Sequence, residues 1–217
     1  FSADEGIAAV LQDKKFRQAL SVAIDREEVI EFTVLGLAKP RQAVLNDGAP
    51  GGDPKYSNAY VEYDPEKAKS WLDEAGLAKL DSDGFRLLPN GEPFLLILSP
   101  SSQRKLSIDS GEVIKKHFEA VGIRTVLKPE DNALFRKRRD SGEHMITIGN
   151  NAEGLNPLQR PFCYFPVSKT AVWAPLTGGY YASGGSVGNP PDGLQQELID
   201  YYEEASVTLD PVARAEI

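Results

Sequence analysis

Apolar residues recur at helical spacing near the start of the chain. A helix is predicted after Asp13, because the apolar residues that follow repeat three and four positions apart, as on one face of a helix; they are Phe16, Ala19, Leu20, Ala23 and Ile24. Asp25 followed by Glu28 matches a capping box, which predicts a second helix that ends at Gly36. We expect this second helix to turn its apolar residues inward: Val29, Ile30, Val34 and Leu35.

Helical and strand patterns then alternate along the chain. Asp64 followed by Pro65 predicts a helix start, and Asn90-Gly91 predicts the turn of a hairpin. The later pattern predicts a helix over 104–121, a strand over 123–127, a helix over 131–140, a strand over 144–148 and a final helix over 192–207. Strands separated by helices predict an α/β fold, with a mixed sheet flanked by helices.

Residues 149–191 lack this periodicity and are rich in amides and aromatic rings. The side chains concerned are Asn150, Asn151, Asn156, Phe162, Tyr164, Phe165, Trp173, Tyr180 and Tyr181. Rings stack on apolar faces, and amides hydrogen-bond to hydroxyl or peptide groups. The segment is therefore a candidate recognition surface for a small polar solute. The alternative interpretation is that the rings cover the core beneath a long loop.

Composition narrows the class of protein. The 217 residues carry 24 Lys and Arg against 32 Asp and Glu, which gives a net charge of −8. We expect no nucleic-acid partner, because binding phosphates requires a basic face. No apolar run exceeds five residues, which is far shorter than a membrane span, and the run 94–98 suits a buried strand. The single cysteine, Cys163, excludes an intramolecular disulfide and leaves the redox compartment open.

One loop resembles a calcium site but lacks two of its features. Asp81, Asp83 and Glu92 stand where a calcium loop carries carboxylates. Arg86, however, occupies the position at which the loop requires glycine, and Phe85 occupies a position that must offer an oxygen. We therefore predict a tight turn before the hairpin, and no metal or cofactor.

Catalytic motifs are weak. Cys163 can in principle pair with His117 or His144 as a nucleophile, but nothing in the sequence brings either histidine to it. The Gly-x-Ser-x-Gly elbow of hydrolases does not occur. We predict that the chain is not an enzyme and has no catalytic residues.

Several sequence blocks resemble one family. Phe16–Glu27, FRQALSVAIDRE, is similar to the signature of the family 5 extracellular solute-binding proteins, which are the peptide, nickel and oligosaccharide receptors of ABC importers. Further blocks agree in the same order: Val34–Pro40, Tyr63–Gly76, Asp83–Arg86 with Asn90-Gly91, Ile114–Ile123 and Asp210–Arg214. The resemblance implies that residues 1–217 form a single ligand-binding lobe of a two-lobed, type II periplasmic-binding-protein fold. It also implies that the first lobe and a C-terminal tail belong to a larger receptor.

The function implied by the resemblance is solute capture. Such a receptor binds an oligopeptide or an oligosaccharide-like solute in the cleft between its lobes and delivers it to an inner-membrane ABC permease. We expect a monomer that is periplasmic or extracellular, and membrane-associated if it is lipidated. The alternative is a solute-sensing regulatory domain that uses the same fold, and an enzyme is the third possibility.

The strand predicted over 144–148 points to the ligand site. In open α/β sheets, ligands gather beyond the carboxyl ends of the strands. We therefore expect the ligand to contact the segment that follows and the later aromatic loop, through Asn150, Asn151, Glu153, Trp173, Tyr180 and Tyr181. The family's peptide binders commonly carry Gly-Trp followed closely by Asp, which holds the peptide's amino terminus. Here Asn150 stands where the Trp is usual, and Glu153 offers the nearby carboxylate.

Overall fold

The computed structural model describes residues 5–49, 51–149 and 156–217. Within these ranges the chain divides into two compact units. The first comprises 5–42, 58–135 and 143–149, and the second comprises 43–49, 51–57, 136–142 and 156–217. The expectation that residues 1–217 form one ligand-binding lobe stays a prediction.

The helices and strands occur in the following order. They are α1 (Glu5–Gln12), α2 (Lys14–Ala23), α3 (Arg26–Val34), α4 (Pro54–Ser57), α5 (Pro65–Leu72), β1 (Leu95–Pro100), α6 (Lys105–Ala120), β2 (Arg124–Leu127), α7 (Asn132–Asp140), β3 (Ile146–Ile148), α8 (Pro175–Ala182), α9 (Gly193–Val207) and α10 (Pro211–Glu216). A π-helical turn, Asp73–Leu77, extends α5, and two short 3-10 turns cover Pro157–Gln159 and Pro161–Cys163. No helix in these ranges is both long enough and apolar enough to cross a bilayer.

A three-stranded sheet in the order β2-β1-β3 organises the first unit. Both strand pairs are parallel, with Leu98 opposite Leu127 on one side and opposite Ile146 on the other. The sheet described is thus parallel rather than mixed. Antiparallel pairing around the predicted hairpin is limited to two isolated bridges, Leu80 with Arg86 and Leu87 with Pro93. The expected α/β organisation is present, and the carboxyl ends of the three strands meet at one edge.

Helix α2 supplies much of the core of the first unit, as the apolar pattern predicts. The Asp13 side chain caps it by accepting a hydrogen bond from the Phe16 N–H at 2.8 Å. Phe16 is fully buried and meets Phe94 edge to face, with ring centroids 5.8 Å apart. The predicted start of α5 is also confirmed, because Asp64 accepts from the Lys67 N–H at 2.9 Å and Pro65 occupies the first helical position.

Helix α3 departs from the sequence prediction. Asp25 caps it, but none of its residues is buried, and Leu35 is 78% exposed. The expectation that Leu35 points inward is therefore wrong. The Glu28 carboxylate lies 2.8 Å from Nε2 of His117 on α6. The helix is thus linked to α6 through a polar side chain, while Val29, Ile30 and Val34 are half-buried.

The second unit contains a helix that the sequence pattern did not indicate. Helix α8 lies inside the segment predicted to be irregular. The sequence did not predict it, because two adjacent glycines lower its helix propensity and its apolar residues show no helical periodicity. A Cβ placed on Gly178 would lie 2.0 Å from the Ser168 carbonyl oxygen, so only glycine permits this close approach. Thr177 then donates a hydrogen bond to Gln195 of α9 at 2.9 Å, which ties the two helices together. The final helix, α9, begins with a complete capping box formed by Asp192 and Gln195.

Candidate functional site

Three of the six predicted ligand residues belong to the described part of the second unit. Asn150, Asn151 and Glu153 lie outside the described residues. Trp173 is half-buried in the loop before α8, and its indole N–H is buried without a hydrogen-bond partner in the part of the chain that the structure describes. Tyr180 and Tyr181 lie on α8 itself. Their contact with a ligand stays a prediction.

Both tyrosines of α8 already make contacts within the second unit. The Tyr181 ring packs edge to face on Tyr202 of α9, with centroids 6.3 Å apart. Burial, and then a hydrogen bond to Glu203, raise the pKa of the Tyr181 phenol above its ordinary value. Tyr180 covers the turn at Gly185, where a Cβ would lie 3.4 Å from its ring. Tyr181 is thus packed on α9, and Tyr180 lies against the turn that follows α8.

An open cavity of about 330 Å³ also lies within the second unit. Two members of the amide and aromatic set, Asn156 and Phe165, line it together with Leu45, Leu158 and Ala205. These residues come from well-separated parts of the chain, so their assembly into one cavity has no signal in the local sequence. The cavity is the largely apolar kind of concavity that holds organic groups in binding proteins.

The polar groups beside this cavity are engaged elsewhere. Asn156 Oδ1 accepts from the Leu158 N–H at 2.9 Å, and the Tyr201 hydroxyl donates to Glu197 at 2.9 Å. Arg214 donates from Nε to the Thr208 carbonyl at 2.8 Å. The wall that remains is mainly apolar surface, which suits hydrophobic groups better than hydroxyls.

In the first unit, a buried pair secures the loops next to the sheet. Glu130 follows β2, and its backbone N–H donates to the Pro100 carbonyl at 3.0 Å at the end of β1. Its carboxylate lies 2.9 Å from Nε2 of His144, which precedes β3. Both side chains are buried, and the Phe135 ring lies 5.1 Å from the imidazole. The sequence showed His144 only as the first residue of a predicted strand, because a partner fourteen positions away has no local signal.

Three of the residues considered for catalysis or metal binding make contacts within the fold: His117, His144 and Asp81. The two histidines hold carboxylates, His117 with Glu28 and His144 with Glu130. The Asp81 carboxylate accepts from the Phe85 N–H at 2.9 Å, and its second oxygen lies 2.9 Å from Arg124. These bonds confirm the tight-turn interpretation of this loop. Within residues 5–49, 51–149 and 156–217, no group of three or more His, Cys, Asp or Glu is placed to hold a metal ion.

Comparison with known proteins gives a consistent result. Residues 4–171 match the sequence model of the bacterial extracellular solute-binding proteins, family 5 Middle. The chain is 28% identical over 216 residues to the periplasmic alpha-galactoside-binding protein of Rhizobium meliloti, covering 93% of the chain and 29% of that protein. It is also 28% identical over 150 residues to the dipeptide-binding protein of Escherichia coli, covering 67% and 26%.

Solved structures agree with the sequence relatives. The oligopeptide-binding protein OppA superposes with a TM-score of 0.88 at 33% identity, covering 99% of this chain and 36% of that one. A periplasmic binding protein from Agrobacterium fabrum, solved in complex with stachyose, shares the fold with a TM-score of 0.72 at 22% identity, covering 98% and 32%. The expected fold class, α/β within a periplasmic-binding-protein architecture, is confirmed. The chain spans between 26% and 36% of the length of these four proteins, all of which are binding proteins by name.

Proposed function

Because this chain belongs to the bacterial extracellular solute-binding proteins of family 5, we propose that it is the ligand-binding lobe of a receptor for an ABC importer. The receptor captures an oligopeptide or an oligosaccharide-like solute in the cleft between two lobes and delivers it to an inner-membrane permease. The observation that carries this proposal is the family match over residues 4–171. The superposition of 99% of the chain on OppA, at 33% identity, supports it.

The mechanism is binding without chemistry. Each lobe supplies part of the contacts, and closure about a hinge buries the solute. The closed form is the state that the permease recognises. The secured loops at the sheet edge, with Glu130 held to both Pro100 and His144, provide a rigid base for such a surface.

The same reasoning gives the location and the partners. A relative that covers 93% of the chain is named as periplasmic, which supports a periplasmic or extracellular receptor. Lipidation of the receptor would hold it at the membrane. We expect a monomer whose partners are the solute and the permease.

Calorimetry with two defined probes tests this function. The receptor that carries this lobe is titrated with tri-alanine and with the neutral trisaccharide raffinose, and the 217-residue chain is titrated in parallel. We expect one probe to bind the receptor and the chain alone to bind it at least about a hundredfold more weakly, because each tenfold corresponds to only about 1.4 kcal/mol of lost contacts. Equal binding by the chain alone would contradict a cleft between lobes. A receptor that binds neither probe would contradict the importer function. So would a receptor that regulates transcription when it binds the solute and does not mediate uptake.

A further inference from the structure

The turn between residues 89 and 92 of the first unit, which we call the hairpin tip, carries a reactive pair of residues. Asn90 is the only asparagine of the chain that is followed by glycine. In such a pair the backbone nitrogen of the glycine can attack the side-chain carbonyl carbon of the asparagine, because no side chain on the glycine obstructs the approach. Asn90 and Gly91 are both exposed, and a Cβ placed on Gly91 would have no atom within 4 Å. Water and hydroxide therefore reach both reacting groups.

Hydrogen bonds within the hairpin tip hold the two groups apart. The Gly91 N–H donates to the Leu88 carbonyl at 2.8 Å, and the Leu88 N–H donates to the Glu92 carbonyl at 2.8 Å. Glu92 also holds the Asn90 side chain at both ends: Oδ1 accepts from the Glu92 N–H at 3.0 Å, and Nδ2 donates to the Glu92 carboxylate at 2.8 Å. While these bonds persist, the Gly91 nitrogen keeps its proton and the Asn90 side chain cannot turn toward it.

We propose that Asn90 is a site of spontaneous deamidation and that Glu92 sets the rate of this reaction. When the hairpin tip opens, hydroxide removes the Gly91 amide proton, and the nitrogen attacks Cγ of Asn90. The new bond from this nitrogen to Cγ closes a succinimide ring. The bond from Cγ to Nδ2 breaks, and Nδ2 takes a proton from water and leaves as ammonia. Water then adds to either ring carbonyl and opens the ring, which leaves aspartate or isoaspartate at position 90.

Glu92 acts on the opening that precedes the chemistry. The hairpin tip is exposed, whereas Leu88 at its base is buried, so the tip can open locally while the core stays folded. Opening requires the loss of both bonds between Asn90 and Glu92. The Glu92 carboxylate also opposes the negative charge that develops on the Gly91 nitrogen when its proton is removed.

The product differs from the native hairpin tip in charge and, for isoaspartate, in backbone length. Both products place a second carboxylate beside Glu92, at the position from which Nδ2 donates. In isoaspartate the main chain runs through the former side chain and gains one atom, so the hydrogen bond from Leu88 to Glu92 loses its register. Because Leu88 belongs to the core, we expect the isoaspartyl protein to melt at a lower temperature than Asn90→Asp, which has the charge and the native backbone.

Peptide mapping by mass spectrometry tests the site. The folded protein and the protein in urea are incubated at mildly alkaline pH, and conversion of each asparagine to aspartate and isoaspartate is followed with time. We expect Asn90 to react in the folded protein, at least about tenfold more slowly than in urea, because hydrogen bonds must first open. Asn58 is also exposed but is followed by alanine, and it should react more slowly than Asn90 in urea.

Variants of Glu92 test its control of the rate. Glu92→Ala removes the acceptor for Nδ2 and should speed conversion of Asn90 in the folded protein by at least about threefold, as expected for one lost hydrogen bond. Glu92→Gln keeps an acceptor without the charge, so its rate should lie between those of Glu92→Ala and the native protein. Glu66→Ala is the matched control, because this carboxylate on α5 is 80% exposed and bonds to Lys69; its rate should be unchanged.

Three outcomes would overturn parts of the proposal. An Asn90 that does not react in the folded protein, while the chain in urea does, would remove the site. Equal rates in the folded protein and in urea, or an unchanged rate in Glu92→Ala, would remove the control by Glu92. Aged protein that contains isoaspartate by peptide mapping but melts like Asn90→Asp would remove the effect of backbone length. All of these outcomes leave the importer function standing.

Discussion

The buried guanidinium of Arg86 forms an ion pair with the carboxylate of Asp73. The same guanidinium donates to the backbone carbonyls of Leu77 at 2.7 Å, Lys69 at 3.1 Å and Val121 at 2.9 Å. The Leu77 and Val121 carbonyls lie at the ends of the α5 region and of α6, where helices leave acceptors unpaired, whereas the Lys69 carbonyl also accepts from the Asp73 N–H. Arg86 therefore joins two helix ends to the hairpin. In the sequence it was notable only as the residue that breaks a calcium-loop pattern.

Replacing Arg86 by lysine is expected to destabilise the protein by about 3 kcal/mol, because a single ammonium cannot reach the carbonyls that the planar guanidinium serves. The Asp73 side chain is 54% exposed, so most of the loss comes from the buried carbonyls and not from the ion pair. Urea unfolding measures the change. Arg124→Lys, at a partly exposed pair with Asp81, is the control and should cost less than about 1 kcal/mol. Equal losses in the two variants would disprove the role assigned to Arg86.

Asp81 is expected to make stability depend on pH. The backbone N–H of Phe85, and to a lesser degree Arg124, hold the pKa of Asp81 below its ordinary value, against a smaller opposing effect of desolvation. A carboxyl with a lowered native pKa stabilises the fold above its unfolded pKa of about 3.9, and this stabilisation is lost as the pH falls through the native pKa. Asp81→Asn should therefore lower the melting temperature at pH 7 but change it little at pH 2.

Asp83→Asn provides the comparison for this pH effect. Its carboxylate is 69% exposed and lies 3.5 Å from Arg124, and among the described residues no backbone N–H donates to it, whereas the Phe85 N–H donates to Asp81. The melting temperature of this variant should change less than that of Asp81→Asn at neutral pH. A loss for Asp81→Asn that is the same at both pH values would show that turn geometry, and not charge, accounts for the effect.

The two adjacent glycines of α8 are expected to respond in opposite ways to alanine. Gly178→Ala places a methyl group 2.0 Å from the Ser168 carbonyl oxygen and should cost about 3 kcal/mol through overpacking. Gly179→Ala meets only the Val187 carbonyl at 3.7 Å and should be neutral or stabilise the helix by up to about 1 kcal/mol. Thermal melts of both variants test this. Similar melting temperatures would mean that α8 does not pack on the loop at Ser168.

The ligand chemistry is expected to show in two variants of the intact receptor. If the solute is a peptide, Glu153→Gln should weaken binding more than Trp173→Ala, because a buried ammonium loses its charged partner. If it is a saccharide, Trp173→Ala should cost about 1–3 kcal/mol of binding energy, as other aromatic anchors do. Calorimetry gives the affinities. Trp173→Ala that lowers only the melting temperature would assign the ring to packing, and unchanged affinity in both variants would remove these residues from the site.

Local signals along the chain determine much of the fold. Asp25 and Asp64 cap α3 and α5 as predicted, because an N-cap acts on backbone groups two or three residues away. The fully buried Phe16 is recognisable from its place in a helical stripe. The family is recognisable for the same reason, since its signature blocks are continuous stretches of sequence.

Contacts between distant residues decided the rest. The sequence pattern did not predict the exposure of Leu35. The contact of α3 with α6 includes the pair of Glu28 with His117, eighty-nine positions away, and a periodic pattern contains no information about such a partner. The sequence did not predict helix α8, because glycine has a low helix propensity. Glycine is nevertheless required at position 178, since the Ser168 carbonyl oxygen leaves no room for a Cβ. Propensities and caps are energies of neighbours along the chain, so the sequence expresses them directly. Burial depends on which surfaces meet in space, and only the tertiary structure determines that.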